Sequence, residues 1–211
     1  MSQVFEFLFG QYATYQTLDI SLEITGVVFG FLSVWYAKKN HIWVFPSGLI
    51  STGIFVYLLL KWALLGDMMI NAYYFIMSIY GWVVWTRTTN NKPTPISKIS
   101  ISEKRSSIFI FIATLLFVFV VYESAGKWTA WTAYVDTLTT AIFFVGMWLM
   151  ARRKIENWLF WIIGDIISVP LYFYKGLTFT SLQYLIFTII AIYGYLAWKN
   201  ILNNSRATVL K

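Results

Sequence analysis

Residues 79–85 read Ile79-Tyr80-Gly81-Trp82-Val83-Val84-Trp85, and residues 192–198 read Ile192-Tyr193-Gly194-Tyr195-Leu196-Ala197-Trp198. The two segments lie 113 positions apart, and each closes a long apolar run. The same offset lays Glu23 on Asp136 and Trp35 on Trp148, while Lys38-Lys39 meets Arg152-Arg153 at an offset of 114. Gly48 meets Gly164 only if small gaps are allowed. Several landmarks at one long period point to an internal duplication, which fixes an architecture before any single element does.

Outward from these segments the chain is a series of apolar runs. Of its 211 residues 59% are apolar and 12% charged, about half the charge of an ordinary soluble domain. Runs of about twenty such residues are long enough to cross ~30 Å of hydrocarbon, and most show no polar face. They predict seven spans, at Ile20–Ala37, Trp43–Leu60, Met68–Trp85, Ser107–Val121, Val135–Met150, Asn157–Tyr174 and Leu182–Trp198. The expectation is an all-α polytopic membrane protein in which two parallel three-helix repeats are joined by a linker helix (3+1+3). Its parts are an interfacial segment at 1–17, a first repeat at 18–86, a polar loop plus linker helix at 87–130, a second repeat at 131–200 and a polar cytoplasmic tail at 201–211. Residues 1–16 have neither the basic start nor the small-residue cleavage site of a signal peptide. Parallel repeats of this kind place a ligand near the midplane, between the halves.

The net charge of +7 does not imply nucleic acid, because its distribution follows the spans. With the N-terminus outside, thirteen of the sixteen basic residues fall on inner loops or the tail, leaving Lys61, Lys127 and Lys175 outside. Basic residues gather on the cytoplasmic side. The reading is N-out and C-in, in the inner (cytoplasmic) membrane, with the bilayer rather than nucleic acid as partner.

Polar residues inside a span need a partner or a cavity. The sixth span carries Trp158, Trp161, Asp165, Ser168 and Tyr172 at steps of three and four, a single helix face. The third carries Asn71, Tyr74, Ser78, Trp82 and Trp85 in the same way, and the seventh opens with Gln183-Tyr184. Rings and amides of this kind suit a flat, polar, ring-bearing ligand. A cationic ring would also gain from aromatic faces and a nearby acid. Competing readings are plainer. Trp35, Trp82, Trp85 and Trp198, near span ends, fit an interfacial belt. Asn71 and Gln183 could be glue between helices. Asp165, Glu23 and Asp136 could serve gating or packing, and Pro46 and Pro170 interrupt their spans as kinks or hinges.

Catalysis finds little support. The single histidine, His41, sits in a basic loop, where it reads as solvated, and no histidine pair exists for a metal. There is no nucleophile elbow or phosphate-cradling loop, and no cofactor is implied. No cysteine is present, so disulfides and thiolate metal sites are excluded. A seven-helix retinal sensor would need a mid-membrane lysine in its last helix, whereas Lys175 and Lys199 only flank that span.

The segment Glu156-Asn157-Trp158-Leu159-Phe160-Trp161, with Ile167-Ser168-Val169, Ser181-Leu182-Gln183-Tyr184 and Ile79-Tyr80-Gly81-Trp82, resembles the PnuC-type nicotinamide riboside transporters. The likeness runs from about Leu18 to Asn200. It implies a SWEET-like fold, a homotrimer, and facilitated diffusion of nicotinamide riboside trapped by cytoplasmic phosphorylation, feeding NAD synthesis. The family's Trp-x-x-Trp and Asn-x-x-Tyr signatures match Trp158-x-x-Trp161 and Asn71-x-x-Tyr74. With Gln183, Tyr184, Asn157 and Ser168 these are the expected substrate-binding residues. Relatives that move thiamine or riboflavin make another vitamin the alternative substrate.

Overall fold

The computed structural model describes residues 16–62, 64–89, 92–126, 128 and 130–209. Nearly all of the expected interfacial segment 1–17 lies outside the described residues, as do Lys127 and the last two residues of the tail. Seven helices account for most of the rest: α1 (Thr17–Lys38), α2 (Val44–Lys61), α3 (Leu65–Thr86), α4 (Ile101–Ser124), α5 (Thr132–Ala151), α6 (Asn157–Tyr174) and α7 (Thr178–Val209). A two-residue hairpin, β1 (Thr88–Thr89) with β2 (Lys92–Pro93), stands between α3 and α4. Among the described residues six helices are long and apolar enough to cross a membrane. The seventh, α6, is also rich in apolar residues over its 18 positions but carries Asn157 and Asp165 within them. It is also the helix with the strongest candidate site residues.

The larger departures from the sequence reading are at two boundaries and one proline. Helix α4 starts at Ile101, not Ser107, because Ser100 and Glu103 form a reciprocal cap. The Ser100 backbone N–H donates to Glu103 Oε2 at 2.9 Å, and the Glu103 N–H donates to Ser100 Oγ at 3.3 Å. Two orphan donors are thereby satisfied about two turns before the apolar run begins. Helix α7 continues beyond Trp198 to Val209, so the polar tail is helical over its described length. No glycine or proline interrupts it there, and Leu202 still packs against the core. Pro46 does not interrupt α2: it lies in the first turn, where the missing N–H has no intrahelical acceptor to lose. Pro170 does lie inside α6.

The ends of the bundle are chemically distinct. At one end Lys61 pairs with Asp19 at 2.8 Å and Lys175 with Asp136 at 2.6 Å, each bond tying a first helix to the end of the next. At the other, Glu103 accepts from both Arg152 and Lys154 at 3.0 Å, and Arg152 donates to the Tyr80 hydroxyl. The backbone of Ser97 bonds to Arg153 and Ile155 there as well. Helices α1, α3, α5 and α7 therefore run one way and α2, α4 and α6 the other, the alternation that seven spans require.

Helices α1, α2 and α3 pack in succession, as do α5, α6 and α7, while α4 lies against α5. Across the two groups α3 meets α5 and α1 meets α7. Two tryptophans seal these crossings. Trp85 Nε1 donates to the Met150 carbonyl at 3.2 Å, and Trp198 Nε1 donates to the Ala37 carbonyl at 2.9 Å. Donors and acceptors alike are 113 positions apart. Trp35 and Trp82 keep the exposure that a belt requires, at 43% and 41%, but the belt reading fails for Trp85 and Trp198, at 3% and 0%. They lie near span ends, yet each indole satisfies a carbonyl at the end of a helix from the other group, a bond that lipid could not supply.

The same offset recurs in the packing. Phe45 stands edge-on to Trp85 (5.0 Å, 88°), and Trp158 edge-on to Trp198 (5.6 Å, 89°). Phe45 fills the space above Gly81, and Trp158 the space above Gly194. A Cβ on Gly81 would come within 2.2 Å of Phe45, and one on Gly194 within 2.6 Å of Trp158. Glycine in these two segments is a requirement of close approach. The second and sixth spans thus correspond without gaps, and the positional counterpart of Gly48 is Trp161 rather than Gly164.

Candidate substrate site

Every helix except α4 contributes to a cavity of about 240 Å³ inside the bundle. Its two sides differ. From α1 and α2 come small residues: Gly30, Ser33, Gly48 and Ser51. Their hydroxyl protons are already committed, Ser33 Oγ donating to the Val44 carbonyl at 2.8 Å and Ser51 Oγ to the Gly26 carbonyl at 2.7 Å. From α5, α6 and α7 come Phe143, Trp158, Trp161, Asp165 and Tyr184, and α3 adds Tyr74. Phe143 is the positional counterpart of Gly30, as Trp161 is of Gly48. One group of helices supplies small residues where the other supplies rings, and those small residues let α1, α2 and α3 close on one another: a Cβ on Gly30 would lie 3.1 Å from Ser51 Oγ, and one on Gly48 3.1 Å from Ser33 Oγ.

A second, more polar cavity of about 480 Å³ opens toward the Asp136 end. Asp67, Asn71, Tyr122, Asp136, Thr139, Thr140, Tyr172 and Lys175 are among its lining. Tyr74, Phe143 and Tyr184 line both cavities and so form the wall between them. The rings make a continuous ladder through that wall. Trp161 stacks on Phe143 (5.4 Å), Phe143 on Tyr184 (6.0 Å) and Tyr184 on Tyr172 (5.0 Å). Each such contact contributes ~0.5–1.5 kcal/mol beyond buried area and fixes the rings of the wall against one another.

The structure sorts the expected binding residues. Trp158, Trp161, Tyr74 and Tyr184 line the inner cavity. Asn71 lines only the outer one, and its amide donates to the Asp67 carbonyl at 3.0 Å. Gln183 lines neither. Asn157 and Ser168 are wholly buried and also line neither. Asn157 Nδ2 donates to the Lys154 carbonyl at 2.6 Å, fastening the start of α6. Asp165, expected to gate or pack, faces the inner cavity instead. Asp136 is held by Lys175 in the wall of the outer one, and Glu23 lines neither. The small wall of α1 and α2 was not anticipated; the glycine spacing Gly26, Gly30 in α1 was the available signal.

A seven-helix bundle enclosing an aromatic chamber with a polar antechamber defines a multi-pass membrane transporter of small molecules. The chain belongs to the nicotinamide mononucleotide transporter family, which matches residues 20–200. It is 25% identical over 207 residues to the nicotinamide riboside transporter PnuC of Escherichia coli (strain K12), covering 86% of this chain and 87% of that protein. It is 27% identical over 200 residues to the PnuC of Haemophilus influenzae, covering 92% and 86%. It is also 25% identical over 189 residues to the riboflavin/roseoflavin transporter RibM of Streptomyces davaonensis, covering 83% of each. A crystal structure of the vitamin B3 transporter PnuC shares the fold, with a TM-score of 0.64 at 22% identity over 96% of this chain and 91% of that one. The expected family and all-α membrane fold are borne out.

Proposed function

We propose that this chain carries nicotinamide riboside across the inner membrane by facilitated diffusion, without chemistry of its own, the substrate being trapped by cytoplasmic phosphorylation. The observation that carries the reading is the inner cavity, where Trp158, Trp161, Tyr74 and Tyr184 line a space of about 240 Å³. That volume lies just below the ~300–1,000 Å³ usual for ligand pockets and favours a one-ring nucleoside over a three-ring flavin, the second reading that the RibM relative raises. The nicotinamide ring stacks on Trp161, and its ribose reaches toward the polar antechamber with Asn71. Two parallel three-helix repeats, 18–86 and 131–200, flank the site, with 87–130 as linker. The assembly is a homotrimer, with the N-terminus outside and the C-terminus cytoplasmic.

The test is uptake into proteoliposomes with nicotinamide riboside, nicotinamide, thiamine and riboflavin compared side by side. Nicotinamide riboside should enter and equilibrate without a proton or sodium gradient. Accumulation above the outside concentration that needs either gradient would refute the uniport, and preference for riboflavin would replace the substrate.

A further inference from the structure

Asp165 is 3% exposed and lines the inner cavity beside Tyr74 and Tyr184. Among the described residues its carboxylate has no hydrogen-bond or ion-pair partner. Among the described residues no lysine, arginine or histidine lines that cavity. Lys175, which lines the outer chamber, is committed to Asp136. The residue 113 positions earlier is Thr52, whose hydroxyl is spent on the Gly48 carbonyl at 2.7 Å. The cavity therefore has one carboxylate, on one side, unmatched.

A buried carboxylate without a partner is costly, and more so within a bilayer, so such groups mark ligand or ion paths. A packing role requires a bond that is not there. What the surroundings do supply is aromatic faces, Trp161 and Tyr74 among them, and these faces favour a cation. We propose that the Asp165 carboxylate is the counter-charge for a cationic aromatic ring, so that the site selects a pyridinium over an uncharged ring of equal size. The inference rests on the nucleoside reading above and adds the feature that sets its specificity. The stacked ring lies between Trp161 and the glycine wall, with its positive charge toward Asp165. The same carboxylate disfavours anionic ligands in the chamber.

The test compares nicotinamide riboside with its 1,4-dihydro form, which has nearly the same size and no charge. Calorimetric titration is run on the purified parent and on Asp165→Asn. The parent should bind the cationic form at least about tenfold more tightly. In Asp165→Asn that gap should close, mainly through weaker binding of the cation, while the neutral form binds as before. Equal binding of both forms by the parent overturns the proposal and needs no variant to fold. An equal loss of both ligands in Asp165→Asn overturns it too, in favour of a structural role. A parent that bound neither form would instead sink the nicotinamide riboside reading and this inference with it, a result distinct from equal binding.

Discussion

Arg153 and Asn40 bond to each other, Arg153 Nε donating to Asn40 Oδ1 at 3.0 Å, and they occupy corresponding places 113 positions apart. Both have left-handed backbones, with φ of 60° and 53°. Each follows the first helix of its group, so the bond joins the two turns where α1 and α5 end. Arg153 also donates to the Thr94 carbonyl and lies 4.3 Å over the Trp85 ring. This contact knits together both groups of helices and the α3–α4 connection.

Breaking it should loosen the molecule. Arg153→Ala removes bonds made by a charged donor, each worth ~1.5–3 kcal/mol, and should lower the thermal midpoint by several degrees. Asn40→Ala should cost more than Asn40→Gly, because only glycine tolerates that φ without strain. Thermal melts in detergent of the three variants check this; equal midpoints for Asn40→Ala and Asn40→Gly would contradict it.

Gly81→Ala and Gly194→Ala both overfill a packed site and should destabilise by about 1–3 kcal/mol. Their effects on binding should part company. Gly194→Ala displaces Trp158, which lines the cavity, whereas Gly81→Ala displaces Phe45, which does not. Ligand titration of the folded fraction should show weaker binding only for Gly194→Ala.

At the site itself, Trp161→Ala should weaken nicotinamide riboside binding by roughly tenfold or more, from lost stacking and buried area. Trp35→Ala and Gln183→Ala, away from both cavities, should bind like the parent. Isothermal titration on variants that pass a melt check decides the matter, and a large loss at Gln183 would move the site toward the start of α7.

Orientation is open to labelling, since the chain has no native cysteine. Both Lys98 and Ser124 are exposed, at opposite ends of α4. In intact cells a cysteine at Ser124 should react with a membrane-impermeant thiol reagent, and one at Lys98 should be shielded. The reverse pattern would invert the topology.

The sequence exposed what depends on spacing. Apolar runs placed all seven helices, and the Tyr-Gly-aromatic segments revealed the 113-residue offset. It also held the cap that starts α4, since Ser100-x-x-Glu103 is a helix-start pattern that apolar runs alone do not mark. Burial was harder. Trp35 and Trp198 look alike near span ends, yet one is exposed and the other bonds a carbonyl of α1, a distinction made only when α1 and α7 come together. Gln183 and Tyr184 are neighbours in sequence, but only Tyr184 reaches a cavity, because adjacent residues on a helix point about 100° apart. Asp165 was visible as a mid-span acid; that it faces open space rather than a helix depended on the packing of five other helices.

The glycine wall opposite the rings has an evolutionary consequence. Contacts that hold the frame, such as Phe45 over Gly81 and Trp158 over Gly194, are duplicated, while Gly30 and Gly48 stand where the second copy has Phe143 and Trp161. A Cβ on Gly30 would come within 3.1 Å of Ser51 Oγ, and one on Gly48 within 3.1 Å of Ser33 Oγ and 3.2 Å of Ser78 Oγ. A substitution at either glycine is therefore felt by the packing of α1, α2 and α3 as well as by the chamber. The two halves of the duplication have been held for different reasons, the first by the close approach of its helices and the second by the rings it presents.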